Sequence, residues 1–380
     1  MKILIYSSAF YSDSTLPIYK AMKEKGQDVT LLYELTRPKS NLFEEQELDP
    51  RHCIFKASEY RSFQRYEKYC DLSDIYVENC PNTHQQSFKS LKSTLRVLEF
   101  IKQGNYDVIH TDIVMMLWKM LLLKYRKKMI WAIHEPIPHA RKEHFIYRIS
   151  RVLNLNIIPK LVIFNHAIAD EFCRHYKIDS KRLLINSLGN LDCITVFSDN
   201  SKVNKKQLLF WGRISRYKGL EYLCQAMEIV CKEVPDAQLL IAGGGDLYFD
   251  ITPYLSLPNI ILMNRYFDME ELAHLISGSA FTVCPYLSSS QSGSVITSLV
   301  MGKPVIGTDI ESMHEMIENG VTGLLVPPCD AQALSNAIIK FLKDEQMLDK
   351  LTSNICKINE KNKPYLEIAD KYICFYQKII

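Results

Sequence analysis

The sequence predicts an α/β protein made of two doubly wound parallel-sheet domains in series, and three observations predict it. Short apolar runs alternate with stretches of helical periodicity along most of the chain, the pattern of parallel strands joined by helices. The 380 residues exceed one ordinary domain, since domains hold roughly 100–200 residues. A polar stretch near the middle, from Asn190 to Gln207, separates two such alternations. It contains Ser198-Asp199-Asn200-Ser201 and Asn204-Lys205-Lys206 and reads as a linker.

In the first half, apolar runs predict strands at 2–7, 28–33, 107–110, 128–133, 161–165 and 183–187. Helical spacing predicts helices at 14–25, 84–103, 112–126 and 167–176. Residues 34–83 show scattered aromatic and charged side chains without a clear period. After the linker, strands are predicted at 207–212, 238–243, 259–263, 281–285, 303–307 and 323–326. Helices fall at 218–233, 269–278, 293–301, 312–318 and 331–344. In the first of these, Leu220, Leu223, Met227 and Val230 recur at three- and four-residue spacing, which gives one buried face. A last helix near 364–379 lies beyond the second alternation and is expected to return to the first. The predicted organisation is therefore a first domain over 1–190 completed by 364–380, a linker over 191–206, and a second domain over 207–363.

Composition narrows the function classes. Apolar residues make up 47% and charged residues 23%, which excludes disorder, collagen-like repeats and coiled coil. Eleven cysteines with no C-x-x-C pair, several inside apolar runs, read as reduced thiols of a cytoplasmic chain. Met1 to Tyr6 already looks like a first strand, so no signal peptide is expected there. The longest uncharged stretch, Leu275 to Gly302, has a serine-rich centre, and Ile113 to Leu123 is too short to span a bilayer.

The net charge of +3 is unevenly distributed. Residues 101–190 carry 15 Lys and Arg against 7 Asp and Glu, whereas residues 191–380 carry 17 against 22. A basic stretch of that kind suits an anionic partner such as a membrane surface, a phosphorylated substrate or nucleic acid, or else a solvated face with no partner. No nucleic-acid-binding module accompanies it.

Several segments can carry chemistry. An apolar strand ends at Gly212, and Arg213 and Lys218 stand on the loop before the next helix, where two cations can converge on a diphosphate. Two surface cations flanking a turn fit the same spacing. The run Ser288-Ser289-Ser290-Gln291-Ser292-Gly293-Ser294 leads from a buried strand into a helix, whose first N–H groups can bind an anion. Ser292 is placed to cap that helix. Ala242-Gly243-Gly244-Gly245-Asp246 allows close backbone approach to a ligand, though it is not a dinucleotide fingerprint. His134 stands where a strand meets a loop and can bond a substrate hydroxyl or simply satisfy local backbone. No metal-ligand constellation, phosphate-binding P-loop or hydrolase elbow is present in the sequence.

The order of motifs G-R-I-S-R-Y-K-G, L-L-I-A-G-G-G-D, N-R-Y-F-D-M-E-E-L, P-Y-L-S-S-S-Q-S-G-S, M-G-K-P-V-I-G-T-D and E-N-G-V-T-G-L-L-V-P-P resembles the family 4 retaining glycosyltransferases. The likeness is continuous from about Leu208 to Ala337. In the first half it is confined to the layout and to H-E-P-I-P-H. It implies the GT-B fold, with two facing Rossmann-like domains, and a second domain that binds a UDP- or GDP-linked sugar without metal or other cofactor. Arg213 and Lys218 match the basic pair that neutralises the donor diphosphate, and His134 matches the histidine that contacts the donor sugar.

Gly243, Gly244 and Arg265 match positions on the nucleotide side, and the Ser292-Gly293 helix start adds to the diphosphate site together with Ser294. Two glutamates common in the family are replaced by Ser289 and Thr297, and Gln291-Ser292-Gly293 matches a Q-S-G variant of the loop. The glycine pair usual after the first strand is replaced by Tyr11-Ser12-Asp13-Ser14-Thr15, so Ser12, Ser14 and Thr15 are expected on an altered acceptor-side loop.

The function so implied is transfer of a sugar, with retention, to a glycan or lipid-linked glycan in cell-surface polysaccharide assembly. The expected location is the cytoplasmic side of an anionic membrane. The alternatives are an inactive subunit that binds a nucleotide-sugar or a partner, and an epimerase or phosphorylase of the same fold.

Overall fold

A computed structural model describes residues 1–35, 53–79, 87–137, 145–164, 166, 168–187, 192–198, 203–289, 292–361 and 364–379. The chain forms two units, Met1–Gly189 with Pro364–Ile380, and Asn190–Lys363.

In the first unit the described strands are β1 (Lys2–Ser8), β2 (Asp28–Leu35), β3 (Ile54–Lys56), β4 (Ile75–Asn79), β5 (Val108–Thr111), β6 (Met129–Ile133), β7 (Lys160–Ile163) and β8 (Leu183–Ile185). They form one sheet in the order β3-β4-β2-β1-β5-β6-β7-β8. All neighbours are parallel except β3, which runs antiparallel to β4. The second unit has β9 (Asn204–Trp211), β10 (Gln238–Ala242), β11 (Ile260–Met263), β12 (Ser279–Cys284), β13 (Val305–Thr308) and β14 (Gly323–Val326). Their order is β11-β10-β9-β12-β13-β14, parallel throughout. Chain direction across the sheet reverses between β1 and β5 in one unit and between β9 and β12 in the other. Doubly wound sheets bind ligands outside the carboxyl ends of strands at such a reversal.

Both sheets are covered by helices because both faces of their strands are apolar. Val97, Ile101, Leu122, Leu123, Leu155 and Phe172 pack as one core against β1, β5, β6 and β7. On the second sheet Leu220, Leu223, Met227 and Val230 are each fully buried, as their spacing predicts. The helix Pro364–Tyr376 packs on the helix Ser12–Glu24, and Tyr372 and Tyr376 close over His110 of β5.

Several elements differ from expectation. The stretch predicted as a helix over 112–126 is a run of 3-10 turns, Leu117–Lys128. Helices Phe145–Ile157 and Glu345–Lys361 were not predicted. β9 begins at Asn204, so the end of the expected linker already belongs to the sheet. Part of the patternless region supplies β3 and β4. There Glu34 and Glu78 face each other in register, and the Tyr6 hydroxyl lies 3.1 Å from each. Lys119 pairs with Glu34, and Ser93 bonds Glu78. Burial and the neighbouring Glu34 push the Glu78 carboxyl up to about 7.

Candidate functional site

In the second unit the site begins where β9 runs out. Gly212 has a φ of +104°, and a Cβ there would lie 2.7 Å from Lys218 Nζ and 3.0 Å from Ser294 Oγ. Only glycine fits both that backbone and that space. The Gly212 N–H donates to the Ala242 carbonyl at 2.9 Å and the Ile214 N–H to the Gly244 carbonyl at 3.0 Å. These bonds draw the loop after β9 against the loop after β10. A side chain at Gly243 would overlap the Gly212 carbonyl, so Gly243 is the point of backbone contact between the two loops. Gly244 is more open and lies beside the ring of Tyr266, which is 85% exposed.

Lys218 closes a 3-10 turn, Arg216–Lys218, ahead of the helix Leu220–Glu233. Its side chain turns inward, only 6% exposed. The ammonium donates to Ser294 Oγ at 3.3 Å and sits 4.9 Å from the centre of the Tyr286 ring. Burial holds its pKa below the ordinary lysine value, and Arg213 adds to the depression. Among the described residues no carboxylate pairs with it. Arg213 is exposed at the mouth of the same loop. Two cations therefore share this loop, neither with a carboxylate partner among the described residues, and one has little water to screen it.

The helix Gly293–Val300 starts at this point. Ser292 is its N-cap, accepting from the Val295 N–H at 3.2 Å and donating to Tyr286 at 3.3 Å. Ser294 donates to the Trp211 carbonyl at 3.2 Å, which joins the helix start to the end of β9. Gly293 is exposed, with open space where a Cβ would stand. Ser289 is half-buried, Thr297 is buried within the helix, and Gln291 lies outside the described residues. Arg265 is held by Glu271 in a two-bond ion pair at 2.8 and 2.9 Å. The same Glu271 completes the capping box of the helix Met269–Gly278 with Asp268. Arg265 is thus fixed beside Tyr266 and is not a free cation.

The first unit assembles a different group. His134 follows β6 and is stacked under Tyr11, with ring centres 3.5 Å apart and an angle of 5° between planes. Phe164 lies 4.8 Å away on another side. Burial pushes His134 down to about 3, so the imidazole is neutral near pH 7. Ser12, Ser14 and Thr15 do not form an open loop. They lie in the first turn of the helix Ser12–Glu24 and are buried, their hydroxyls donating to the carbonyls of Ala9 and Tyr11 at 2.8–3.0 Å. Hydroxyls spent on their own helix are poor acceptor-side groups.

Two other residues lie beside this group. Tyr11 covers His134, and Asp112, just past β5, accepts from the Ser8 N–H at 2.8 Å and bonds Ser7 Oγ. Burial pushes Asp112 up to about 7. Tyr11 opens the segment noted after the first strand but is not singled out in it, and Asp112 belongs to no sequence motif. Asp112 reaches the site because β1 and β5 are adjacent in space though a hundred residues apart in sequence. No group of three His, Cys, Asp or Glu able to hold a metal occurs among the described residues, and none of their helices is long and apolar enough to cross a membrane.

Comparison with known proteins bears on the second unit first. Residues 205–344 match the family model Glycosyl transferases group 1. That segment contains Arg213, Lys218 and the Gly293 helix start. The alpha-D-kanosaminyltransferase of Streptomyces kanamyceticus is 23% identical over 175 residues, 45% of this chain and 45% of that protein. The chain thus spans about half the length of that relative.

Likeness of fold extends over the whole molecule. Sucrose-phosphate synthase from Thermosynechococcus elongatus has a TM-score of 0.64 at 18% identity, covering 100% of this chain and 99% of that one. Anabaena HepE, solved in complex with UDP-glucose, has a TM-score of 0.63 at 14% identity and full coverage of both chains. The architecture is the GT-B fold that these glycosyltransferases share.

Proposed function

We propose that the protein is a retaining glycosyltransferase that moves a sugar from a UDP- or GDP-linked donor to a glycan or lipid-linked glycan, in the assembly of a cell-surface polysaccharide. One observation carries the reading. Buried Lys218 and exposed Arg213 stand on one loop at the carboxyl end of β9, next to the open start of the Gly293–Val300 helix, and among the described residues neither has a carboxylate partner. A diphosphate would supply the missing negative charge. The family match over 205–344 and the UDP-glucose bound by the Anabaena protein support the same donor class. The ten described cysteines are all free thiols, which suits a reducing compartment.

In this reading the bond between the sugar's anomeric carbon and the diphosphate oxygen breaks as the acceptor oxygen bonds that carbon. The acceptor proton passes to the leaving oxygen on the same face, and no covalent intermediate with the protein forms. Negative charge grows on the diphosphate, where Arg213, Lys218 and the helix N–H groups are already oriented, so stabilisation needs no reorganisation. No metal is assigned a part in this step. His134, neutral and held by Tyr11, is assigned to a sugar hydroxyl. The loss of both family glutamates at Ser289 and Thr297 favours a second reading, a subunit that binds a nucleotide-sugar without turning it over.

The test is a thermal-shift screen with UDP, GDP, ADP, CMP and their sugar conjugates, without metal. Binding to the folded state alone raises the melting temperature by mass action. One nucleotide should raise it in the wild type and leave Arg213→Ala unmoved. The matching sugar conjugate should then support turnover that the variant lacks, with the donor's anomeric configuration kept in the product. A shift without turnover would select the binding subunit, and turnover unchanged in Arg213→Ala would remove the diphosphate assignment.

A further inference from the structure

The helix Phe145–Ile157 is packed with its polar side inward. Ser150, Arg151, Asn154 and Leu155 are its buried residues. Arg151 donates from Nη1 to the Glu135 carbonyl at 2.6 Å and more weakly to that of Pro136 at 3.4 Å. Asn154 accepts from the Met115 N–H at 2.9 Å and donates to the Met115 carbonyl at 2.8 Å. These polar groups therefore hold the loops that follow β5 and β6. The outward side carries Phe145, Ile149, Val152 and Leu153, exposed by 73, 45, 41 and 38%. A surface helix ordinarily turns its apolar stripe to the core. Here the stripe faces outward, and an exposed apolar face of this kind marks an interaction surface.

Charge identifies the occupant. The same helical layer, sharing one core with β1, β5, β6 and β7, includes the helix Phe88–Gly104 and the turns Leu117–Lys128. Across these three segments the sequence has eleven Lys and Arg against one Glu, of which Arg151 is buried and Lys119 pairs with Glu34, and the helix Ala169–Tyr176 on the same core adds Asp170, Glu171 and Arg174. Lys124, Arg126, Lys127 and Lys128 are exposed in the turns, which also expose Trp118 and Leu121. Arg148 stands within the apolar stripe itself. A second copy of this face would meet like charge with like charge, which counts against self-association. Apolar anchors set among exposed cations match an anionic bilayer, which takes the side chains at the headgroup boundary and attracts the cations to its surface.

We propose that this layer docks the first unit on an anionic membrane surface, with Phe145, Ile149 and Val152 entering the headgroup boundary. The helix that docks is the one whose Arg151 holds the loop after His134. Docking would therefore hold that loop close to the membrane surface, where an acceptor that is lipid-linked, as in the function proposed above, would be met.

The test uses the full chain and vesicles of phosphatidylcholine with and without phosphatidylglycerol, read by flotation at physiological and raised salt. Partition should be at least about tenfold stronger on the anionic vesicles and fall with salt. Phe145→Ser with Ile149→Ser should lower it about tenfold at an unchanged melting temperature, because both positions are exposed. Lys124→Glu with Arg126→Glu should do the same without touching the stripe. No binding by the wild type, equal binding to neutral vesicles, or variants that bind like the wild type would overturn the proposal. So would a wild-type dimer that the Phe145/Ile149 variant dissociates. Flotation needs neither donor nor acceptor, so a failed nucleotide screen leaves this result standing, and the reverse holds too.

Discussion

Lys218 carries its charge into a place that water scarcely reaches, and the anion proposed above would offset that cost. A hydroxyl and an aromatic face, the partners it has now, stabilise an ammonium less than a carboxylate or phosphate does. Unit 1 shows two opposite displacements at the residue scale. Asp112 and Glu78 hold their protons up to about 7, while His134 and His110 are pushed down to about 3 and 4.

For the carboxyls the folded state binds protons more tightly than the unfolded chain, so their contribution falls as pH rises from about 4 towards 7. For the imidazoles the unfolded chain binds protons more tightly, so their contribution is lost as pH falls below about 6.5. Asn at position 112 mimics the protonated carboxyl, since Ser7 can accept from its amide and donate onward to the Ser8 carbonyl, 3.2 Å away. Asp112→Asn should therefore gain stability relative to the wild type between pH 4 and 7, by about 1–3 kcal/mol at the upper end. Urea melts at several pH values measure the gap, and a gap that stays flat would show Asp112 to be ionised throughout.

At the scale of elements, the two loops after β9 and β10 behave as one piece because glycine lets their backbones touch. Gly243→Ala would force the Gly212 carbonyl away, and Lys218 and Ser294 crowd the other side of Gly212. The expected cost is about 1–3 kcal/mol, as for other overpacked sites, together with loss of the nucleotide-induced thermal shift. A variant that melts lower yet keeps the full shift would separate the loops' packing from donor binding.

Most elements of the second unit were legible in the sequence, because its strands are short apolar runs and its turns carry Gly and Ser in order. The first unit was less so, for physical reasons. β4 ends in Glu78 and Asn79, buried polar residues that interrupt an apolar run, and β3 is only three residues long. The helix Phe145–Ile157 defeats a periodicity argument because its apolar stripe faces away from the core. In the candidate site, Arg213, Lys218 and Ser292 stood out because local spacing places them. Asp112 did not, since only the pairing of β1 with β5 brings it to Ser7 and Ser8, and Tyr11, though inside a noted segment, was not singled out because its stacking on His134 joins residues distant in sequence. Ser12, Ser14 and Thr15 were read as loop hydroxyls, whereas they begin a helix and bond carbonyls at its start, which spacing alone does not show.

At the scale of the whole molecule, the first unit is completed by a segment that follows the second. Ile368, Tyr372, Phe375 and Tyr376 are each at most 5% exposed, and burying a large apolar side chain contributes roughly 1.5–3 kcal/mol. Removing all four takes away an amount comparable with a typical domain's entire stability of about 5–15 kcal/mol. A chain ending at Lys363 should therefore lose the cooperative melting of the first unit and keep that of the second, along with any nucleotide shift. Calorimetry of the truncated chain tests this, and two intact transitions would show that the last helix is dispensable.

That arrangement has a consequence for how the molecule comes into being on the ribosome. Translation delivers all of the first sheet early, yet His110 stays uncovered until the whole of the second unit has been made and Tyr372 and Tyr376 emerge. The half-finished protein must carry an open flank throughout that interval, so a ribosome that stalls within the second unit leaves a chain exposed to proteases and chaperones at the back of its first sheet.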